Sequence, residues 1–231
     1  EKDSRILYFR QEKNLGPKGN FEFVANQCNT EFFMWASHDD IWASNFLESC
    51  LEVLENQIDI GFVITKCIVK SRNIPLVRRC FLPSMKFVSN PDPIKRMLFF
   101  TKLSFMTFKD NLTYGVWRNS VLKKIIHDTR NMKYFSIGGA ANEYALLTTK
   151  GKFIENTYFL KRYKYLPPGS FFSFIFYILL KIKKIKMKQN CYPRYTCEDH
   201  INDLVKVLKL AKVDNNTIDT VVELNWNHLP K

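Results

Sequence analysis

The chain has 231 residues, enough for one large domain or two small ones. Apolar residues make up 46% and aromatics 15%, which can close a sizeable core and excludes wholesale disorder. The formal charge of +13 suits an anionic partner: nucleic acid, anionic lipid or a phosphorylated ligand.

In chain order, residues 5–9 (RILYF) are a short β-rich run, and 14–20 (NLGPKGN) a turn cluster with two glycines and a proline. Residues 20–28 read as a helix with Phe23 and Cys28 among its buried positions. Residues 31–37 (EFFMWAS) are a continuous apolar run of strand length, of the kind that suits a central strand covered on both faces. In 44–57, Phe46, Leu47, Cys50, Leu51 and Leu54 recur at helical spacing, with Ser44 or Asn45 to cap the start. Residues 59–69 are another strand. Strand alternating with helix implies an α/β sheet with crossover connections.

Further on, residues 90–103 (NPDPIKRMLFFTKL) suggest a proline-started helix. Residues 112–118 read as a strand and 119–128 as a helix. Residues 138–151 read as a loop and then a helix stopped by Gly151. Residues 152–163 are an alternating strand. Composition shifts at 166–170 (LPPGS). The apolar part of the next segment (FFSFIFYILLKIKKIKMK) is shorter than the roughly 20 residues that span a bilayer. Its lysines at 181, 183, 184, 186 and 188 suit either an interfacial helix on an anionic leaflet or an ordinary packed helix with a solvated face. Residues 198–213 form a last amphipathic helix. The six cysteines form no C-x-x-C pair, which argues against a zinc site and suits reduced thiols in a cytosolic protein. The charged opening EKDSRILYF does not read as a signal peptide.

Asp39 and Asp40 lie just past the 31–37 strand, where open α/β sheets bind ligands. Adjacent carboxylates repel, and a divalent cation offsets that cost. Mg²⁺ and Mn²⁺ prefer oxygen ligands and keep substrate phosphates in their shell. Taken alone, two loop aspartates read equally as a solvated turn or a helix cap.

Their surroundings narrow the choice. Arg5-Ile6, Asn14-Leu15-Gly16, Asn20, a strand ending at Ser37, Asp39-Asp40 and Phe46-Leu47 occur in the order found in family 2 glycosyltransferases, and this part of the chain closely resembles that family. The resemblance implies a GT-A (Rossmann-like) mixed α/β sheet flanked by helices. It places Asp39 near the nucleotide ribose and makes Asp40 the ligand of a divalent cation, Mg²⁺ or Mn²⁺, bridging the sugar-nucleotide diphosphate. The family motif commonly reads D-x-D-D; here Ser37-His38-Asp39-Asp40 puts serine in the first acid's place, and His38 reads as a loop residue. Residues 114–124 resemble the acceptor-side strand and helix. Residues 138–163 resemble the segment bearing the general base, whose place is held by Glu143 after Asn142. Glutamate keeps the chemistry with a longer arm; Glu143 also reads as a first-turn helix acid. Arg162 falls where the family often carries a basic residue that can face the diphosphate.

The resemblance covers residues 1–166, a partial GT-A domain, with 167–231 as a basic, helical extension suited to membrane association. It begins in the middle of the fold, since family members open with a strand, helix and strand of about 30 residues. An N-terminally incomplete sheet is therefore expected, and residues 1–231 alone are expected to bind sugar nucleotide poorly or not at all. The implied activity is inverting, metal-dependent sugar transfer from a nucleotide-sugar donor to a hydroxyl acceptor on a polysaccharide or lipid-linked glycan, in the cytoplasm or at the inner face of the plasma membrane. A non-catalytic glycosyltransferase-like fragment or binding protein, taking a glycan or a membrane partner, is the alternative. Nucleic acid is not expected as a partner, because the lysines cluster beside an apolar helix with little aromatic interleaving.

Overall fold

The computed structural model describes residues 3–71, 80–81, 85–103, 109–132, 139–163 and 197–226. Helix α1 spans Gly16–Gln27 and is followed by the two-residue strands β1 (Phe32–Phe33) and β2 (Ile41–Trp42). Helix α2 (Phe46–Asn56) leads into the long strand β3 (Ile60–Ser71), which β4 (Cys80–Phe81) joins. Helix α3 (Pro93–Lys102), strand β5 (Val116–Arg118), and helices α4 (Asn119–Thr129) and α5 (Ala140–Thr148) come next. Strand β6 (Lys150–Tyr163) and helices α6 (Cys197–Leu210) and α7 (Asn215–Trp226) complete the order. Short 3-10 segments cover Lys86–Ser89 and Lys109–Tyr114.

The sheet runs β1-β5-β3-β6-β2, with β4 also on β3. Strands β3 and β6 are parallel, and the other pairings are antiparallel. This is the mixed, helix-flanked α/β sheet that a GT-A-like fold requires. Because strand side chains alternate between faces, β3 serves two cores. Val63, Cys67 and Val69 pack with Phe46, Cys50 and Leu54 of α2. Phe62 and Ile64 pack on the other face with Trp117 and with residues of α3, α4 and α5. Leu204, Val207, Leu208, Ile218 and Val221 of α6 and α7 close this second core. The Phe62 and Trp117 rings stack at 4.4 Å.

Two local features set the site. Between the pairs Thr65↔Ile154 and Lys66↔Tyr158 the β3–β6 register shifts, so residues 155–157 bulge from the sheet. The bulge is pinned to α2, with Thr157 Oγ1 donating to Asn45 Oδ1 at 2.9 Å. Beyond it, β6 continues as the shared partner of β3 and β2, with Ile41 opposite Leu160. A bulge re-aims the side chains after it, and here those are Lys161 and Arg162.

Several sequence expectations are corrected. Residues 5–9 form no strand: Ile6, Leu7 and Tyr8 are exposed, Tyr8 to 83%, and no described strand offers them a ladder. Helix α1 starts at Gly16 (φ 69°) rather than at Asn20, because Pro17 is pre-set for a first helical turn. Phe23 and Cys28 are half-buried, and Ala25 is the buried residue. The 31–37 run supplies a two-residue strand at the edge of the described sheet, not a central one, since it pairs only with β5. Leu47 is half-exposed, and Asn45 caps nothing because its side chain is engaged by the bulge. Of residues 112–118 only 116–118 are strand. Helix α5 ends at Thr148, and Gly151 lies inside β6. A Cβ there would meet the Phe62 ring at 2.3 Å, so glycine serves close packing and not a helix stop. Helix α3 does begin at its proline, with Asp92 accepting from Ile94 N–H and Lys95 N–H. Helix α7 was not anticipated. The basic stretch 181–188 lies outside the described residues; among these, no helix is long and apolar enough to cross a membrane.

Candidate functional site

The turn after β1 closes with Asp40 N–H donating to Ser37 O at 3.2 Å, and the chain then enters β2. His38 is exposed and Asp39 half-buried. The Asp40 carboxylate turns inward and is only 1% exposed. Lys161 Nζ donates to its Oδ2 at 3.1 Å, and the Arg162 backbone N–H donates to its Oδ1 at 3.2 Å. The Arg162 guanidinium donates through Nε to the Asp39 carbonyl. Arg162 thus meets the aspartate pair through its backbone N–H and its guanidinium. Trp42 packs against the α2-side core.

Lys161 was not picked out from the sequence, although it directly precedes Arg162 and an alternating strand puts one of the two beside whatever β2 presents. Its side chain is 15% exposed, and its ammonium stands 3.7 Å from the centroid of the Tyr114 ring. Cys67, on the neighbouring strand, lies close enough for both charges to act on it. Burial pushes its thiol up to about 12, with Lys161 lowering and Asp40 raising it. Asn111 Nδ2 points at its sulfur at 3.5 Å.

Glu143 lies in the first turn of α5. Gly139 caps this helix, its carbonyl accepting from Asn142 N–H at 3.0 Å and from Glu143 N–H at 3.1 Å. Glu143 is 1% exposed, so its carboxyl faces the interior. Asn142 Nδ2 reaches Thr113 Oγ1 at 3.4 Å. Asn142 and Thr113 also line a small cavity with Trp35, Trp117, Leu122 and Ile125. Thr113 and Tyr114 are adjacent in the 3-10 turn. One touches the residue before Glu143 and the other covers the counter-ion of Asp40, so this turn links the two halves of the candidate site.

The fit of a divalent cation is decided by the donor set. Among the described residues, no group of three or more His, Cys, Asp and Glu is gathered to hold a metal. Mg²⁺ needs only one or two carboxylates when phosphates supply the rest, so that alone settles little. The partners of Asp40 settle more: one oxygen is bound to an ammonium, the other to a backbone N–H, and the Arg162 guanidinium stands at Asp39. A divalent ion on Asp40 must displace Lys161 or sit within a few ångströms of it, where like charges repel strongly. The arrangement does not fit Asp40 as a metal ligand.

Comparison with curated proteins gives no match. The family model described as "Glycosyl transferase family 2" matches residues 1–129, more than half of the chain. The match takes in Asp39, Asp40 and the Thr113–Tyr114 turn and ends before Glu143, Lys161 and Arg162. With its mixed α/β sheet, helical flanks and aspartate pair beyond the first strand, the chain belongs to glycosyl transferase family 2.

Proposed function

We propose that this family 2 chain is an inverting glycosyltransferase that moves a sugar from a nucleotide-sugar donor to a hydroxyl on a growing polysaccharide or lipid-linked glycan. The donor lies at the Asp39–Asp40 corner, with Asp39 toward the ribose and Arg162 toward the diphosphate. Glu143, at the other end of the Thr113–Tyr114 link, accepts the proton of the acceptor hydroxyl. The acceptor oxygen bonds to the anomeric carbon, the bond from that carbon to the diphosphate oxygen breaks, and the nucleoside diphosphate leaves with the electron pair. A base within hydrogen-bond reach of the hydroxyl contributes about 10²–10⁴-fold. Work at the inner face of the plasma membrane, through the lysines at 181–188, belongs to the same reading.

The observation that carries this reading is the meeting of Asp40, inside the family-matched residues 1–129, with Arg162 of β6 beyond them. Donor turnover tests it: release of nucleoside diphosphate from a panel of UDP- and GDP-sugars, with Asp40→Asn and Glu143→Gln as comparisons. Turnover lost in both variants is expected, and turnover indifferent to both contradicts the reading. The burial of Glu143 favours a second reading, a non-catalytic member that binds a glycan; binding of oligosaccharide without any donor turnover is its mark.

A further inference from the structure

The family reading expects Asp40 to hold a divalent cation, yet its carboxylate already has a cation of its own. Lys161 Nζ is 3.1 Å from Oδ2, and the pair is enclosed, the carboxylate being 1% and the lysine side chain 15% exposed. Three elements hold the ammonium in place. The turn before β2 gives the carboxylate, the 3-10 turn gives the Tyr114 face at 3.7 Å, and β6 carries the lysine itself past the 155–157 bulge. The titratable and charged groups around it are Asp40, Tyr114, the neutral Cys67 thiol of β3, the adjacent Arg162 and, next to Asp40, Asp39, whose backbone carbonyl accepts from Arg162 Nε. Asp39 is a further carboxylate next in sequence, but among the described residues no group of three or more His, Cys, Asp and Glu gathers here to draw a metal in, and Arg162 adds positive charge.

Removing one partner of a buried pair leaves an uncompensated charge, so Asp40 and Lys161 are each fixed by the other. An ammonium on a flexible four-carbon stem is also a good partner for phosphate oxygens. It stands beside a guanidinium that can pair with them in bidentate fashion. We propose that Lys161 is the resident cation of this site. It takes the place on Asp40 that a divalent ion would occupy, and with Arg162 it meets the diphosphate of the donor. Asp40 is then a positioning residue that aims Lys161. The phosphate part of this inference rests on the donor reading above, whereas the counter-ion part does not.

The test has two arms, both on protein expressed from its full reading frame. In the first, Mn²⁺ is titrated and followed by electron paramagnetic resonance. Wild type and Asp40→Asn should bind Mn²⁺ alike, and Lys161→Met should gain a site that the Asp40→Asn/Lys161→Met double variant lacks. A wild-type Mn²⁺ site that Asp40→Asn weakens tenfold or more overturns the proposal, whether or not Lys161→Met folds. In the second arm, UDP and GDP binding is measured by calorimetry in EDTA and in Mn²⁺. Affinity should change less than twofold between the two conditions. It should fall at least tenfold in Lys161→Met and stay within threefold in Lys161→Arg. Binding that is lost in EDTA but kept in Lys161→Met overturns the proposal. Absence of nucleotide binding under every condition overturns the donor reading and the phosphate role with it, while the Mn²⁺ arm still decides what neutralises Asp40.

Discussion

The Lys161 ammonium lies 3.7 Å from the centroid of the Tyr114 ring, which holds it against Asp40. A desolvated cation over an aromatic face contributes about 1–2 kcal/mol. Tyr114→Leu is therefore expected to lower unfolding stability by about that much, measured by urea denaturation, since it fills the space but removes the ring. Tyr114→Phe keeps the ring face and should stay within about 0.5 kcal/mol of wild type. Equal losses in both variants would show that the phenol hydroxyl, not the ring, matters.

Gly151 sits opposite Phe62 in the β3–β6 register, and a Cβ there would meet the Phe62 ring at 2.3 Å. That ring is stacked on Trp117 at 4.4 Å and has no room to retreat. Gly151→Ala should therefore destabilise the fold by about 1–3 kcal/mol through overpacking. The double variant Gly151→Ala/Phe62→Leu should lose less than the sum of its single changes, as expected of residues in contact.

Asp128 ties α4 to α5. Tyr144 Oη donates to its Oδ2 at 2.8 Å, Lys124 Nζ does so at 2.6 Å, and His127 Nδ1 is 3.1 Å from Oδ1. Burial works to raise its pKa, but these three partners together outweigh burial and lower it from 3.8 to about 2. A carboxyl whose folded pKa lies below its unfolded value stabilises fully above the unfolded value and loses that contribution as pH falls toward the folded one. Stability should thus decline between about pH 4 and 2 in wild type, and less steeply in Asp128→Asn. Urea midpoints at pH 3 and pH 6 for both proteins check this.

Arg118 closes the C-terminal end of α2. Its guanidinium donates to Ile60 O at 3.0 Å and Gln57 O at 3.5 Å, and to the Leu54 carbonyl. The side chain is 15% exposed, while its acidic partner Glu31 is largely in solvent. Loss of bonds from a charged donor, leaving carbonyls unpaired, is expected to make Arg118→Ala unfold about 3 kcal/mol more easily. Glu31→Ala should change stability by less than about 1 kcal/mol, because an exposed ion pair contributes little. Thermal or urea unfolding of the two variants distinguishes the carbonyl bonds from the ion pair.

Much of this was legible in the sequence where one signal dominated. Helical spacing found α2, although Leu47 faces solvent, and the prolines of residues 90–103 pointed to the start of α3. The order of short motifs pointed to the family and to Asp39-Asp40. What stayed hidden depends on partners distant in sequence. The run of residues 31–37 looks like a central strand because its residues are apolar, but its place in the sheet is set by β5, more than 80 residues away. Gly151 reads as a helix stop until Phe62 is placed above it. Lys161 carries no motif of its own, and only the 155–157 bulge and the antiparallel β2–β6 ladder bring it to Asp40.

The central claim, sugar transfer with Glu143 as base and Asp40 at the donor corner, is tested most directly by donor turnover. The protein is expressed from its full reading frame and incubated with UDP- and GDP-sugars, and nucleoside diphosphate release is measured for wild type, Glu143→Gln and Asp40→Asn. The account predicts turnover of at least one donor, reduced about 10²–10⁴-fold in Glu143→Gln and reduced likewise in Asp40→Asn, with both variants still folded by circular dichroism. Turnover at the wild-type rate in folded Glu143→Gln would contradict it.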